Sequence, residues 1–378
     1  MHKQQRSRLA STLTVLSFIS PVLGLLVPTL STAGAQESPE TVRQQIVSRG
    51  VSYLLTGQAQ DGSFSKPAGP AVTAICLTAL LNNGLSEEQP AVARGLRYLD
   101  GFVQKDGGVY QTDSLYKNYE TCLALMCFVA ANRDGHYTER IKRAELFVKQ
   151  IQWGTSGDVD EANLAFGGAG YGKHGRPDLS NTSFFVEAIQ SSGADADDEA
   201  MQAALAFVSR CQNLESEHNT TPFATKNPDG GLYYTPAAGG QSQAGLTAQG
   251  GLRSYGSMTY AGLKSMIFAG VDKEDPRIEA AMGWISANYD LSSNPGIGSS
   301  GLYYYYHTFA KTLSVAKIDM IKDNDGKEHD WRKELIVALR ERQGRNGSWT
   351  NENERWLEGD PNLVTAYALL ALSHCRVK

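Results

Sequence analysis

Glu120, Asp178 and His307 are the side chains best placed in this chain to do acid–base chemistry. Each lies at or near a threonine that opens a stretch rich in apolar and small residues. Six such openings recur, at Val72-Thr73, Glu120-Thr121, Asn181-Thr182, Met258-Thr259, His307-Thr308 and Val364-Thr365. Glu120 and His307 hold equivalent places in two of them. A carboxyl beside an imidazole that titrates near neutral pH is a workable general acid–base pair, and Asp178 is a further acid. Tyr119, Asn181, Tyr255 and the run Tyr304, Tyr305 and Tyr306 surround these positions as candidate ligand-binding groups. Consecutive tyrosines cannot all face one core. Two of these residues also have a structural reading: Asn181 suits capping its own helix, and Glu120 gains from a positive helix end wherever it points.

The elements that carry these residues repeat. Each unit reads as an outer amphipathic helix, a glycine- and aromatic-rich turn, and an inner apolar helix. Outer segments are expected over Glu40 to Thr56, Pro90 to Val103, Glu139 to Ile151, Glu199 to Cys211, Pro276 to Ala287 and Trp331 to Arg342. In the first, Val42, Ile46, Gly50 and Leu54 fall three or four apart on one face. The inner segments, such as Thr73 to Leu81 and Thr365 to Leu372, have no charged face, and a helix apolar all round is buried. The turns are Asp61-Gly62-Ser63-Phe64, Asp106-Gly107-Gly108-Val109-Tyr110, Gly167-Gly168-Ala169-Gly170-Tyr171, Asp229-Gly230-Gly231-Leu232-Tyr233, Gly301-Leu302-Tyr303-Tyr304 and Asn346-Gly347-Ser348-Trp349. Asp-Gly and Asn-Gly tolerate the positive φ of a tight reversal, so Asp61, Asp106, Asp229 and Asn346 read as structural. A unit of this size cannot bury its own apolar face and must stack on its neighbours. The expectation is all-α, an inner and an outer ring of helices, with the six openings converging on one cavity mouth. Unpaired N–H groups at those helix starts favour a polar or anionic ligand group.

Composition narrows the partners. The first 35 residues carry Lys3, Arg6 and Arg8, then an almost uncharged apolar run from Leu9 to Leu30, then Ala33-Gly34-Ala35. That is the pattern of an export signal cleaved near Ala35, leaving residues 36–378 as one domain; a retained N-terminal anchor is the alternative. Loss of the three basic residues takes the net charge from −5 to −8. With no Lys/Arg cluster, neither nucleic acid nor an anionic membrane surface is expected as partner. The five cysteines show no CxxC and no Cys/His metal spacing, and read mainly as buried small hydrophobes. No metal or cofactor is expected. Asp323, Asp325 and Glu328 lack the full spacing of a calcium loop, and the glycines before Lys173 lack the Ser or Thr of a phosphate loop.

The repeats resemble the QW-type motifs of squalene–hopene and oxidosqualene cyclases and of protein prenyltransferase β subunits. Gln60-Asp61-Gly62-Ser63-Phe64 and Gln343-Gly344-Arg345-Asn346-Gly347-Ser348-Trp349 carry the resemblance, which extends over about residues 40 to 375. It implies an α6/α6 toroid whose central cavity holds an apolar isoprenoid. The acid motif of those cyclases, Asp-x-Asp-Asp-Thr, is met by Asp178-Leu179-Ser180-Asn181-Thr182, with Ser180 where the central acid belongs. A second acidic stretch, Asp158-Val159-Asp160-Glu161-Ala162, precedes the aromatic turn instead of an inner helix. The zinc ligands of the prenyltransferases fall on Tyr304, Tyr306 and Val364, and their diphosphate-gripping residues fall near Gly298, Gly301 and Tyr255. The resemblance therefore implies the fold without either standard mechanism.

Three readings stay open: an exported toroid that binds an isoprenoid or lipid, a carbohydrate-active lyase or hydrolase, and a non-catalytic scaffold. A deep aromatic cavity points to the first, a shallow wet groove to the second, and a cavity filled by its own side chains to the third.

Overall fold

The computed structural model describes residues 37–376, so the expected export signal lies outside the described residues. The outer helices are α1 (Pro39–Gly57), α3 (Pro90–Asp100), α5 (Thr138–Gln150), α7 (Glu199–Arg210), α9 (Pro276–Ala287) and α11 (Trp331–Arg342). The inner helices are α2 (Pro70–Asn82), α4 (Lys117–Ala131), α6 (Leu179–Ser192), α8 (Gly256–Phe268), α10 (Leu302–Val315) and α12 (Pro361–Ser373). Each inner helix packs on the next, and α12 packs on α2, so the inner layer closes into a ring. This is the expected all-α toroid. Among the described residues the other elements are two 3-10 turns, Lys66–Ala68 and Arg355–Leu357, and one hairpin of two-residue strands, β1 (Ile321–Lys322) and β2 (Glu328–His329). Within it Asp323 accepts the N–H groups of Asp325 and Lys327, and His329 is held between Asp323 and Glu334 at 3.0 Å each. That acidic segment is a folded turn.

Burial follows the sequence pattern. Eleven of the thirteen residues of α2 and of α8 are buried, against one stripe of α1 made of Val42, Arg43, Ile46, Gly50 and Leu54. The five cysteines are free and buried. Among the described residues no helix is long and apolar enough to cross a membrane.

The aromatic turns join the two layers through the repeat threonines. Thr73 Oγ1 accepts the backbone N–H of Phe64 at 2.9 Å, Thr121 that of Val109 at 3.0 Å and Thr182 that of Ala169 at 2.9 Å. Thr259 accepts from Leu232 and Thr365 from Trp349, both at 3.1 Å. These threonines therefore sit inside the inner helices, three or four residues past the first helical residue, and do not open them.

The turn glycines and the glutamines that precede them link neighbouring outer helices. Gly347 has φ +91°, and a Cβ there would lie 2.5 Å from the Arg49 carbonyl oxygen of α1. Gln343 donates to the carbonyls of Gly347 and Ile46, at 2.9 Å each. Gln58, Gln152 and Gln212 bridge in the same way from their own turns to Ala91, Ala200 and Arg277. The last turn thus closes the outer ring onto the first helix.

The fifth unit departs from expectation. Leu302, Tyr303 and Tyr304 are not part of a turn, because α10 has already begun at Leu302. Thr308 Oγ1 donates only to the Tyr304 carbonyl of its own helix, at 2.9 Å. In place of a turn, the Tyr305 and Tyr306 hydroxyls donate to the carbonyls of Asp290 and Leu291, at 2.7 and 2.6 Å.

Candidate functional site

The N-terminal ends of the inner helices surround a cavity of about 630 Å³. This lies within the roughly 300–1,000 Å³ typical of small-molecule sites. Its walls descend along the helices. With 3.6 residues per turn, a residue two places after a repeat threonine points about 200° away from the turn that the threonine holds, into the ring. Phe184 and Tyr367 are two such residues, following Thr182 and Thr365. Tyr119 meets Phe184 edge-on at 5.5 Å, Phe184 meets Tyr304 at 5.8 Å, and Tyr304 meets Tyr367 at 6.0 Å. This aromatic layer forms the floor. The rim carries Leu115, Tyr116, Trp356 and Leu357, all exposed. Trp356 and Leu357 have φ of +57° and +63°, a strained backbone for bulky side chains that is held by the surrounding loop.

Of the expected site residues, Tyr119, Glu120, Asn181, Tyr255 and Tyr304 line this cavity. Glu120 Oε2 accepts the Gln111 N–H and Oε1 the Ser114 hydroxyl, at 3.0 Å each. Its carboxyl thereby pins the loop before α4. Burial pushes its pKa above the ordinary carboxyl value, against the pull of those two donors. Gly69 makes room for it, since a Cβ there would lie 3.1 Å from Oε1.

Asp178 is placed differently. It is the N-cap of α6 and accepts the Asn181 N–H at 3.0 Å and the Asn181 Nδ2 at 2.9 Å. It is buried behind the wall, next to the cavity-lining Tyr234, and burial raises its pKa to about 6. Ser180, in the motif position of the cyclase acid, is in the wall and donates to the Tyr304 hydroxyl at 3.1 Å. The alternative acidic stretch stays outside, with Asp158 paired to Lys173 at 3.0 Å.

The expected pairing of Glu120 with His307 is not formed. His307 lines a second cavity further along the ring, toward the C-terminal ends of the inner helices, and its ring stacks on Tyr367. The early start of α10 is the reason. His307 is the sixth residue of its helix, whereas Glu120 is the fourth of α4, so the two sit at different depths. Tyr305 and Tyr306 also leave the candidate set, because their hydroxyls are directed to the Asp290–Leu291 segment, and neither lines the cavity.

Sequence reasoning missed Glu358, Tyr234, Phe184 and Tyr367. Glu358 lines the cavity and is buried. Its Oε1 accepts the N–H groups of Tyr303 and Tyr304 at 3.0 and 2.8 Å, and its Oε2 accepts from Asn351 at 2.6 Å. It caps α10, whose own N-cap, Gly301, has no side chain to do so. Phe184 and Tyr367 could have been found from their register to the repeat threonines.

The resulting chamber has aromatic faces, carboxyls at its upper wall, and further polar side chains such as Gln111, Ser114, Asn181 and Gln243. Such π faces attract a cationic or electron-poor centre, and the apolar area favours a hydrocarbon body. Among the described residues no group of three or more His, Cys, Asp or Glu side chains is arranged to hold a metal ion.

Comparison with known proteins agrees with this architecture. Residues 64–228 match the family model of the squalene-hopene cyclase C-terminal domain. No curated protein matches the chain. Among solved structures, a variant of the type II terpene cyclase MstE from Scytonema, in complex with merosterolic acid A (product), superposes with a TM-score of 0.54 at 15% identity. That superposition covers 89% of this chain and 97% of that one. A second MstE variant, bound to geranylgeranyl dihydroxybenzoate (substrate), gives 0.54 at 15% identity, covering 89% and 98%. A protein from Actinoplanes gives 0.51 at 14% identity, covering 88% and 99%. The fold is that of the type II terpene cyclases. The family match spans less than half of the chain, and the solved structures share its fold.

Proposed function

We propose that the protein binds an apolar isoprenoid or similar lipid in the first cavity, with the ligand's polar end at Glu120 and its hydrocarbon body on the aromatic floor. The observation that carries this reading is the deep chamber walled by Tyr119, Phe184, Tyr255, Tyr304 and Tyr367. It is neither a shallow wet groove nor filled by its own side chains, which takes support from the glycan and scaffold readings. The MstE complexes, with an isoprenoid substrate and product bound in the same fold, add support by analogy.

The reading puts binding ahead of proton-initiated cyclisation. Ser180 holds the position of the motif acid, and Glu120, pushed up by burial, is a weaker acid than an ordinary carboxyl. Protonating an isolated alkene calls for a stronger acid. The carboxyls available for an acid step in the lining include Glu120 and Glu358. Export remains part of the proposal and rests on the N-terminal sequence.

The test is native mass spectrometry of the protein purified from its own host, with extraction of whatever is bound. A polyprenyl or sterol-like lipid is expected, and it should be lost in Ala71→Trp, which fills the cavity from the first turn of α2. Folding of the variant is checked by circular dichroism. An empty wild-type protein, or a lipid still retained by the folded variant, removes the proposal.

A further inference from the structure

The second cavity, about 250 Å³, lies on the far side of the aromatic floor and has a different chemistry. At its wall Glu187 of α6 is buried and takes two ammonium groups. Lys264 of α8 donates to Oε2 at 2.5 Å and Lys311 of α10 to Oε1. One carboxylate therefore faces two cations, and a net charge in a low-dielectric interior is costly. The negative ends of the inner helices point toward this side and favour cations here, but they leave the donor surplus in place. An ammonium has three N–H donors. Lys264 is fully buried, while Lys311 is 24% exposed and lines the cavity with Glu187 as its one hydrogen-bond partner.

Two imidazoles complete the wall. His307 is buried, and its Nδ1 has no hydrogen-bond partner. His374 lines the same space at the end of α12. Burial above all, together with the nearby lysines, holds both rings down to about 3. At neutral pH each is therefore uncharged and has one N–H to give. The rest of the wall has an apolar side made of Ile75, Leu123, Met126 and Leu370, with Thr78, Asn82 and Ser191 as its polar members.

We propose that this second cavity binds a small organic monocarboxylate, its carboxylate on Lys311 Nζ and an imidazole N–H and its hydrocarbon body on Ile75, Leu123, Met126 and Leu370. A second carboxylate matches two ammonium groups against two anions. A dianion would reverse the imbalance, and an uncharged ligand would leave it. The volume lies just below the roughly 300 Å³ lower bound of drug-sized pockets, which limits the ligand to a short chain.

Isothermal titration calorimetry on the purified chain tests this with hexanoate, 1-hexanol and inorganic phosphate. Hexanoate should bind about tenfold or more tightly than hexanol, the worth of one charge-assisted hydrogen bond. Phosphate should not compete. Lys311→Met leaves Glu187 and Lys264 as a neutral pair, so the fold is kept while the preference for hexanoate over hexanol disappears. Ala71→Trp, which fills the other cavity, should leave hexanoate binding unchanged. The proposal is overturned by equal affinity for hexanoate and hexanol, by phosphate binding without hexanoate binding, by an unchanged preference in Lys311→Met, or by loss of binding in Ala71→Trp. Equal affinity for hexanoate and hexanol on the wild-type protein overturns the proposal even if the variant does not fold.

Discussion

Asp178 shows how one carboxyl can be both structural and costly. As N-cap it satisfies the start of α6, yet burial raises its pKa from the usual 3.8 to about 6. The native state therefore holds a proton that the unfolded chain gives up, and stability is lost as pH rises from the unfolded value through the folded one. The shift corresponds to about 3 kcal/mol at neutral pH. Asparagine caps as well as aspartate and does not ionise. Rotation of Asn181 would bring its Oδ1, which has no partner, against the new amide. Asp178→Asn should therefore gain stability relative to the wild type between pH 4 and pH 7. Urea unfolding of both proteins across that range reads the difference, and a difference that stays flat with pH contradicts the assignment. Glu120 and Glu358 share the upward shift from burial, but each accepts hydrogen bonds that tie down a loop or a helix end.

At the scale of the element, the repeat threonine is the joint between turn and inner helix. Thr365→Val keeps the shape of the side chain and leaves the buried Trp349 N–H without its acceptor. An unsatisfied buried donor costs about 1–3 kcal/mol. Thr308→Val, in the unit without an aromatic turn, removes only a bond back to its own helix and should cost clearly less. Chemical denaturation of the two variants provides the comparison, and equal losses would mean that the threonines act through helix packing alone. The helix positions were legible in the sequence because the amphipathic and all-apolar periods differ, and α9 and α11 match the expected spans residue for residue. The reading of the fifth unit failed because Gly301-Leu302-Tyr303-Tyr304 has the residue types of a turn. Its local pattern does not reveal that Glu358, more than fifty residues later, caps a helix at that point.

At the scale of the molecule, the ring has two chambers sharing an aromatic partition. Phe184 and Tyr367 line both. Phe184→Ala should remove part of that partition at a cost of about 3–5 kcal/mol, read as a lowered denaturation midpoint. The joined space should also retain longer-chain lipids in native mass spectrometry. An unchanged spectrum of bound masses would show that the rest of the floor still separates the chambers.

The amino-acid sequence by itself determined the repeat, the two helix layers and the closure of the ring. The helix layers are encoded in residue periods of three or four repeated in six units, and the joints between them in glycine-bearing turns held by a threonine in five of the six. It also placed Tyr119, Glu120, Asn181, Tyr255 and Tyr304 at the cavity. Only the tertiary structure decided which side chains meet. The depth of a residue in the ring depends on where its helix begins. The early start of α10 carried His307 through the floor to Lys311 and Glu187, away from Glu120. Contacts such as Glu358 with α10, or Glu187 with two lysines from other helices, join residues far apart in the chain. Their alignment is fixed by the packing of whole helices around the ring, which no local pattern records.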